Sequence, residues 1–434
     1  MTLKPKAIVK IALNVILLPG IILLAISCKE CPTEPEEKPG KVILSTVYIT
    51  TRAVYLELSL SDSAKTADIR LERDSTVILE TTLRSADTLV IDDSLQAGKT
   101  YSYRGYLLEK GKIQSSGEIL PVTTMDTTSH AIAYWEIDTL GYRGEVNDIW
   151  IVSENNIWVV GEFVTDSGEF NAARWDGNKW TLLQAVNTAK LYSIYYFSDN
   201  DIWVTSFGLP IHWDGSVWTL YHIQNMGIDV SAGFGIWGTS SSNMYFVGLD
   251  GSIVHYNGSS FVKMTSGTTC DLDDIYGLDN KHIWAVGSKT GEFQSVILFY
   301  DGREWTTLHD TQTENFCYSN SFWTDCPYFL FLNGGSGRYF FDMVKHEYKK
   351  YYEAGSWYGY AIDGIAYNDI FATGMGSEVL HYNGSTWYLY PEIGDRFETY
   401  GHIKCVKMTS DLVVAGGFYY TGLYGLPIII RGYR

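Results

Sequence analysis

Basic side chains are scarce in this 434-residue chain: 32 lysines and arginines stand against 50 aspartates and glutamates, a formal net charge of −18. The acidic residues are spread along the chain, and no basic stripe is left to track a phosphate backbone, so DNA and RNA are excluded as partners. Cysteine is scarce as well, at six residues. Cys28 and Cys31 stand at CxxC spacing, but one such pair is too little for a zinc site. No spacing of carboxylates singles out an acid and base pair, and residues 41–124 hold no cluster of catalytic residue types. The sequence therefore gives no reason to expect a cofactor or a metal.

Glycine and aromatic rings are abundant. Glycine counts 41, and Trp, Tyr and Phe make up 15% of the chain, as in an all-β protein whose turns punctuate aromatic strands. The most telling stretch is Ile211-His212-Trp213-Asp214-Gly215-Ser216-Val217-Trp218-Thr219-Leu220. It recurs as Trp175-Asp176-Gly177 with Trp180, Tyr256-Asn257-Gly258 with Phe261, Tyr300-Asp301-Gly302 with Trp305, and Tyr382-Asn383-Gly384 with Trp387. Asp-Gly or Asn-Gly between alternating apolar runs predicts hairpins with type I′ turns, both central residues at positive φ.

The turn glycines are spaced by 38 (177 to 215), 43 (215 to 258), 44 (258 to 302) and 82 (302 to 384), the last being two steps of 41. One degenerate copy is expected in that gap. A second strand precedes each turn, at Ile157-Trp158-Val159-Val160-Gly161, Ile202-Trp203, Met244 to Gly248, Ile283 to Gly287, Tyr328-Phe329, Ile370 to Gly374 and Leu412 to Gly416. A further strand lies upstream, at Asp148-Ile149-Trp150, Ser193-Ile194-Tyr195, Gly235-Ile236-Trp237, Asp274-Ile275-Tyr276, Ser321-Phe322-Trp323, Gly364-Ile365-Ala366 and His402-Ile403-Lys404. Seven units of four strands at this period predict a seven-bladed β-propeller. The last unit supplies three strands, ending with Pro427 to Arg431. Its fourth is expected from Tyr134-Trp135-Glu136-Ile137-Asp138 at the front, which closes the ring and removes an open sheet edge.

At the start of the chain, Lys4, Lys6 and Lys10 precede an apolar run, 11–26, that ends in small residues before Cys28. The run is short for a membrane span and carries Asn14, Pro19 and Gly20, which favours a signal peptide over residues 1–27. Ala25-Ile26-Ser27-Cys28 resembles a bacterial lipobox, with Ala25 where that family usually has Leu. The resemblance implies cleavage before Cys28, its thioether linkage to diacylglycerol, and a membrane anchor at the outer membrane or cell surface. Residues 28–40 read as a polar, Pro-rich tether. Within it Lys29-Glu30 is similar to the export signals of Bacteroidota-type lipoproteins.

Residues 41–124 lack the repeat and alternate as short strands, which suggests a sandwich. The stretch Leu95-Gln96-Ala97-Gly98-Lys99-Thr100-Tyr101 resembles the fibronectin type III family, with Tyr101 as its corner tyrosine; Ala97 replaces the usual Pro, and Leu58 or Leu60 the core Trp. Asp-Gly-x-x-Trp likewise resembles a shortened Asp-box of sialidase-type repeats, and Trp175-Asp176 and Trp213-Asp214 are similar to the dipeptide of WD-repeat propellers. The opening Ser of the first and the Gly-His of the second are absent, so these resemblances imply fold and not catalysis. The expected fold class is all-β, a β-sandwich followed by a seven-bladed β-propeller over residues 130–434.

His212, His255 and His381 occupy one strand position in different blades, where they should not converge on a metal. Cys270 and Cys317 hold equivalent places in neighbouring blades, as a disulfide or as two buried thiols. The loops that join blades, with those between second and third strands, should gather on one face around the channel, where function usually lives. There the candidate ligand-binding residues are Trp357, Tyr358, Tyr360, Tyr400, Tyr419 and Tyr420, with Glu162, Asp166, Asp229, Asp395 and Glu398 among them. The expected function is a lipid-anchored envelope protein, for binding or adhesion, that presents this face to a glycan or protein ligand. A propeller glycosidase or other polysaccharide-acting enzyme, and a structural part of an envelope assembly, are the alternatives.

Overall fold

A computed structural model describes residues 40–61, 66–83, 88–187, 190–228, 232–289, 294–311, 319–335, 337–352, 358–397 and 400–434. The signal peptide, Cys28, Cys31, nearly all of the tether and Cys317 lie outside the described residues.

Strict alternation builds the first unit. Along Val54–Leu60, Val54, Leu56 and Leu58 turn one way and are fully buried. This strand lies between Val42–Ile49 and Thr88–Asp92, and the second sheet runs Thr76–Leu83, Ala67–Arg73, Thr100–Glu109, Lys112–Ser116, with Leu120–Thr123 added on Thr100–Glu109. Leu56, Leu58, Ile69, Leu71 and Tyr103 share the core between the sheets. The Tyr101 phenol oxygen accepts the Gln96 amide at 3.0 Å, tying the turn at Gly98 to the strand that follows. Tyr55, on the opposite side of its strand, is buried by stacking on Tyr328 at 5.2 Å.

Seven four-stranded antiparallel sheets follow, blades 1 to 7 in chain order. Blade 1 runs outward from Arg143–Ser153 through Asn156–Thr165 and Gly168–Trp175 to Trp180–Leu183. Blade 7 takes Gly401–Met408, Leu412–Tyr420 and Gly425–Tyr433 and completes itself with Tyr134–Thr139, Tyr433 pairing Tyr134 and Ile428 pairing Thr139. Both faces of each blade are apolar because each meets a neighbour. Val146 and Ile149 of blade 1 share a core with Cys405 and Val414 of blade 7, while Ile403 and Val413 pack on Phe371 of blade 6.

The Asx-Gly turns differ from the type I′ expectation. Gly177, Gly215, Gly258, Gly302 and Gly384 have φ near +90°, but the preceding Asx residues do not reach positive φ. Instead, Asp176 Oδ1 accepts the amides of Asn178 and Lys179 at 2.9 Å, and Asp214, Asn257, Asp301 and Asn383 repeat the pattern. The Asx side chain satisfies the turn amides, leaving only the glycine to bend. The degenerate copy is blade 5, where Asp342 caps Val344 and Lys345 in the same way without a glycine after it.

Register corrects three sequence alignments. Ile149 pairs with Val159 in blade 1, and the equivalent pairs in blades 6 and 7 are Ile362 with Ala372 and Val406 with Ala415. Gly364-Ile365-Ala366 and His402-Ile403-Lys404 therefore lie on the inner strands but three residues from the expected position. In blade 5, Phe331 takes the position of Trp158, since it pairs with Trp323 as Trp158 pairs with Trp150; Tyr328-Phe329 begins that strand two residues early.

The sandwich docks on the face that carries the Asx turns. Tyr48 donates to Asp325 at 2.5 Å, Thr51 donates to the Gly384 carbonyl, and Arg52 reaches Ser385 at 3.2 Å. Among the described residues, nothing docks on the opposite face, where blades join.

Closure by the early strand is testable at Trp135, which is nearly buried, donates to Glu392 at 3.2 Å and meets Tyr390 edge-on at 5.1 Å. Trp135→Ala is expected to cost about 3–5 kcal/mol in urea unfolding, whereas Ala at exposed Tyr134 costs under about 1 kcal/mol.

Candidate functional site

The inner strands carry a bulge that turns an extra residue toward the axis. Register shifts separate Val146 from Asp148, Ala232 from Gly235, Leu272 from Asp274, Ser319 from Ser321, Gly359 from Ala361 and Ile403 from Cys405. A bulge inserts one residue and re-aims a side chain. The residues so placed include Asn147, Phe234, Asp273, Tyr360 and Lys404, and with Tyr192 of blade 2 they line one end of an axial cavity of about 220 Å³.

The next tier holds the blades to one another. Asp148 Oδ1 accepts the Ile149 amide at 2.8 Å, and its Oδ2 accepts the Ser193 hydroxyl at 2.8 Å and the Ile194 amide at 2.9 Å from blade 2. Asp274 repeats this toward blade 5, accepting Ser321 Oγ at 2.8 Å and the Phe322 amide at 3.2 Å. Two residues further along each strand lie Trp150, Tyr195, Trp237, Tyr276 and Trp323, an aromatic collar over five blades. Blades 6 and 7 place Asp363 and Lys407 there instead.

Burial raises the carboxyls of Asp148, Asp274 and Asp363, with their hydrogen bonds and Lys407 pulling the other way. Burial alone would discharge Lys407, but Asp363, Asp148 and Asp274 outweigh it and hold the ammonium. Lys407 sits deep inside the ring, yet 36% of its side-chain surface faces the cavity, so water there screens it. Asp273 differs from its neighbours. Burial first, then Asp271 and Asp274, push its carboxyl up to about 8, and no hydrogen bond to it is found among the described residues.

Among the sequence candidates, Trp357, Asp229 and Glu398 fall outside the described residues. Tyr358 and Tyr360 come together at 5.3 Å, and Tyr360 joins His402 through a 2.6 Å hydrogen bond. His402 stacks on Phe418 at 4.9 Å and meets Tyr420 at 5.7 Å. Tyr400 is 60% exposed beside that cluster, its carbonyl accepting the Tyr420 amide at 3.3 Å, while Tyr419 turns away onto Phe397 at 4.8 Å. Across the face, Tyr192 contacts Phe207, 62% exposed, at 5.6 Å and Phe234 at 6.1 Å. The histidines stay apart: His212, His255 and His381 each bond a residue at the start of the adjacent strand, Asp201, Asn243 and Asp369. Cys270 is a buried free thiol.

Apart from Tyr360, the axial residues were not among the sequence candidates. Their signal is two successive polar residues ahead of an apolar one, as in Asn147-Asp148-Ile149 and Asp273-Asp274-Ile275, which breaks the two-residue period where a bulge sits.

No protein-family model matches the sequence, and no curated protein matches it. Solved structures resemble it in fold. YCF48 bound to D1 peptide aligns with a TM-score of 0.50 at 14% identity, over 71% of this chain and 100% of that one. YCF48 from Cyanidioschyzon merolae gives 0.52 at 13%, over 69% and 99%. The extracellular domain of BT4673 from B. thetaiotaomicron, described as a hybrid two component system, gives 0.50 at 9%, over 68% and 39%. Likeness at such identity is likeness of fold, and the fold is a propeller.

Two outcomes test the electrostatics. A carboxyl raised to about 8 favours the folded state fully below its unfolded value near 4 and loses that contribution as pH climbs through 8. The Tm of Asp273→Asn relative to the parent chain is therefore expected to rise steadily from pH 4 to pH 9; a difference constant with pH means a solvated carboxylate. Lys407→Met is expected to cost about 1–3 kcal/mol, below the ~3–5 kcal/mol of a dry pair because the cavity screens it. Adding Asp363→Asn should recover most of that loss in the same unfolding assay.

Proposed function

We propose that this chain is a binding protein that presents the blade-joining face of its propeller to a protein ligand, tethered to a bacterial envelope membrane through Cys28. The observation that carries this reading is a set of exposed, mostly aromatic side chains on that face. Phe207, Phe234, Tyr400, Tyr420 and Leu423 all lie exposed on that one face, around the channel mouth, while the sandwich occupies the other face. Large exposed apolar patches mark interaction sites, and aromatic residues are enriched in them. The lipobox and the polar tether support the anchor. A propeller of similar fold, YCF48, takes the D1 peptide, which favours a protein segment over a glycan as ligand.

A glycosidase uses two carboxyl groups across a scissile bond. Of the aspartates lining the cavity, Asp148, Asp274 and Asp363 are engaged by amides, hydroxyls or Lys407, so binding fits the face better than hydrolysis.

The test is a selection of peptides from a random display library on the immobilised full chain, with a glycan array in parallel. Selected peptides are expected to lose at least about tenfold in affinity for Phe207→Ala/Tyr420→Ala, and none for Val217→Ala on the opposite face, since hot spots concentrate in few aromatic residues. Retention of glycans in place of peptides, or equal binding by both variants, overturns the reading.

A further inference from the structure

A carboxylate held away from bulk water needs a cation or several donors beside it. The axial cavity meets that demand at every aspartate but one. Asp148 and Asp274 are capped by amides and serine hydroxyls, and Asp363 lies 3.3 Å from Lys407 and accepts the Met408 amide at 2.9 Å. Asp273 lines the same cavity and accepts nothing among the described residues. The cavity lysines are already engaged: Lys404 Nζ lies 2.9 Å from Glu145 and 3.1 Å from Asn147 Oδ1, and Lys407 holds Asp363.

The walls near Asp273 are aromatic. Phe234 and Tyr192 line the same tier of the cavity, and Trp237 and Tyr276 lie deeper. Ring faces beside a carboxylate attract organic cations, which gain from both. Among the described residues, no group of three or more His, Cys, Asp or Glu is arranged to hold a metal ion, and the aromatic walls suit an organic cation. Size narrows it further. A cavity of about 220 Å³ falls below the ~300 Å³ at which sites for whole small ligands begin. That size suits a single inserted side chain.

We propose that the axial cavity is a cation-binding pocket in which Asp273 is the counter-ion to an alkylguanidinium or alkylammonium group, presented as the Arg or Lys side chain of the protein ligand. The source of the cation rests on the function proposed above; the pocket itself does not.

Butylguanidinium and the uncharged butylurea, titrated calorimetrically into the full chain, test the pocket. The guanidinium is expected to bind and the urea not to. The cation prefers the ionised carboxyl, whose fraction rises from roughly one-tenth at pH 7 to roughly nine-tenths at pH 9 for a pKa of about 8, so affinity should rise about tenfold across that range. At pH 7 binding should also release close to one proton. Other charges act on the same group: Asp271 and Asp274 on the strand of Asp273, and Asp148, Asp363, Lys404 and Lys407 across the cavity. Asp273→Asn separates its contribution from theirs. That variant, folded by its unchanged or raised Tm at pH 7, is expected to lose at least tenfold in affinity together with the pH dependence. Equal binding of butylurea and butylguanidinium, or unchanged binding by Asp273→Asn, overturns the proposal.

The peptide selection then identifies the source. Enrichment of Arg or Lys by the parent chain and its loss with Asp273→Asn supports a side chain of the ligand; no basic preference overturns that assignment in favour of a free alkyl cation. If no peptide is selected at all, the proposed function fails while the titration still decides the pocket.

Discussion

A buried carboxylate must be met by donors, and in this ring the donors belong to the next blade. Neighbouring blades share side-chain contacts but not a continuous ladder, so ladder pairing alone does not fix one blade against another. Asp148 and Asp274 each take the amide of their own strand with one oxygen and an amide and a hydroxyl of the following blade with the other. Asp363 does the same work with the Met408 amide and Lys407. Burial raises each of these carboxyls and its hydrogen bonds pull the other way, so losing one leaves a charge in the ring less compensated. The apolar cores between blades supply most of the cohesion, and the aspartates tie blade 1 to blade 2, blade 4 to blade 5 and blade 6 to blade 7.

Much of the fold was legible because the repeat is written in chemistry that turns demand. Asp214-Gly215 and its counterparts mark the outer hairpins, and Tyr134 to Asp138 has the pattern of an outer strand without a preceding blade. The inner strands were harder. A bulge turns a two-residue spacing into three, so Gly364-Ile365-Ala366 and His402-Ile403-Lys404 matched the motif while Ile362 and Val406 hold the position of Ile149. Blade 5 lost its glycine, and with it the marker, although Asp342 kept its cap.

The site divides along the same line. Aromatic residues in loops announce an exposed face, and Tyr358, Tyr360 and Tyr420 do converge around His402. Tyr419 sits one residue from Tyr420 and points the other way, because alternation persists to the end of its strand. Asp273 could not be singled out: its neighbours Asp271 and Asp274 share its type, and only the bulge decides which of the three is left without a donor.

The closing strand also decides how the molecule bears load. Tyr134 lies at the edge nearest the docked sandwich and Thr139 at the edge nearest the open face, and the strand is paired along its whole length with Gly425–Tyr433. A pull between sandwich and open face therefore runs along this strand and stresses all of its hydrogen bonds together, in shear, instead of peeling them one at a time.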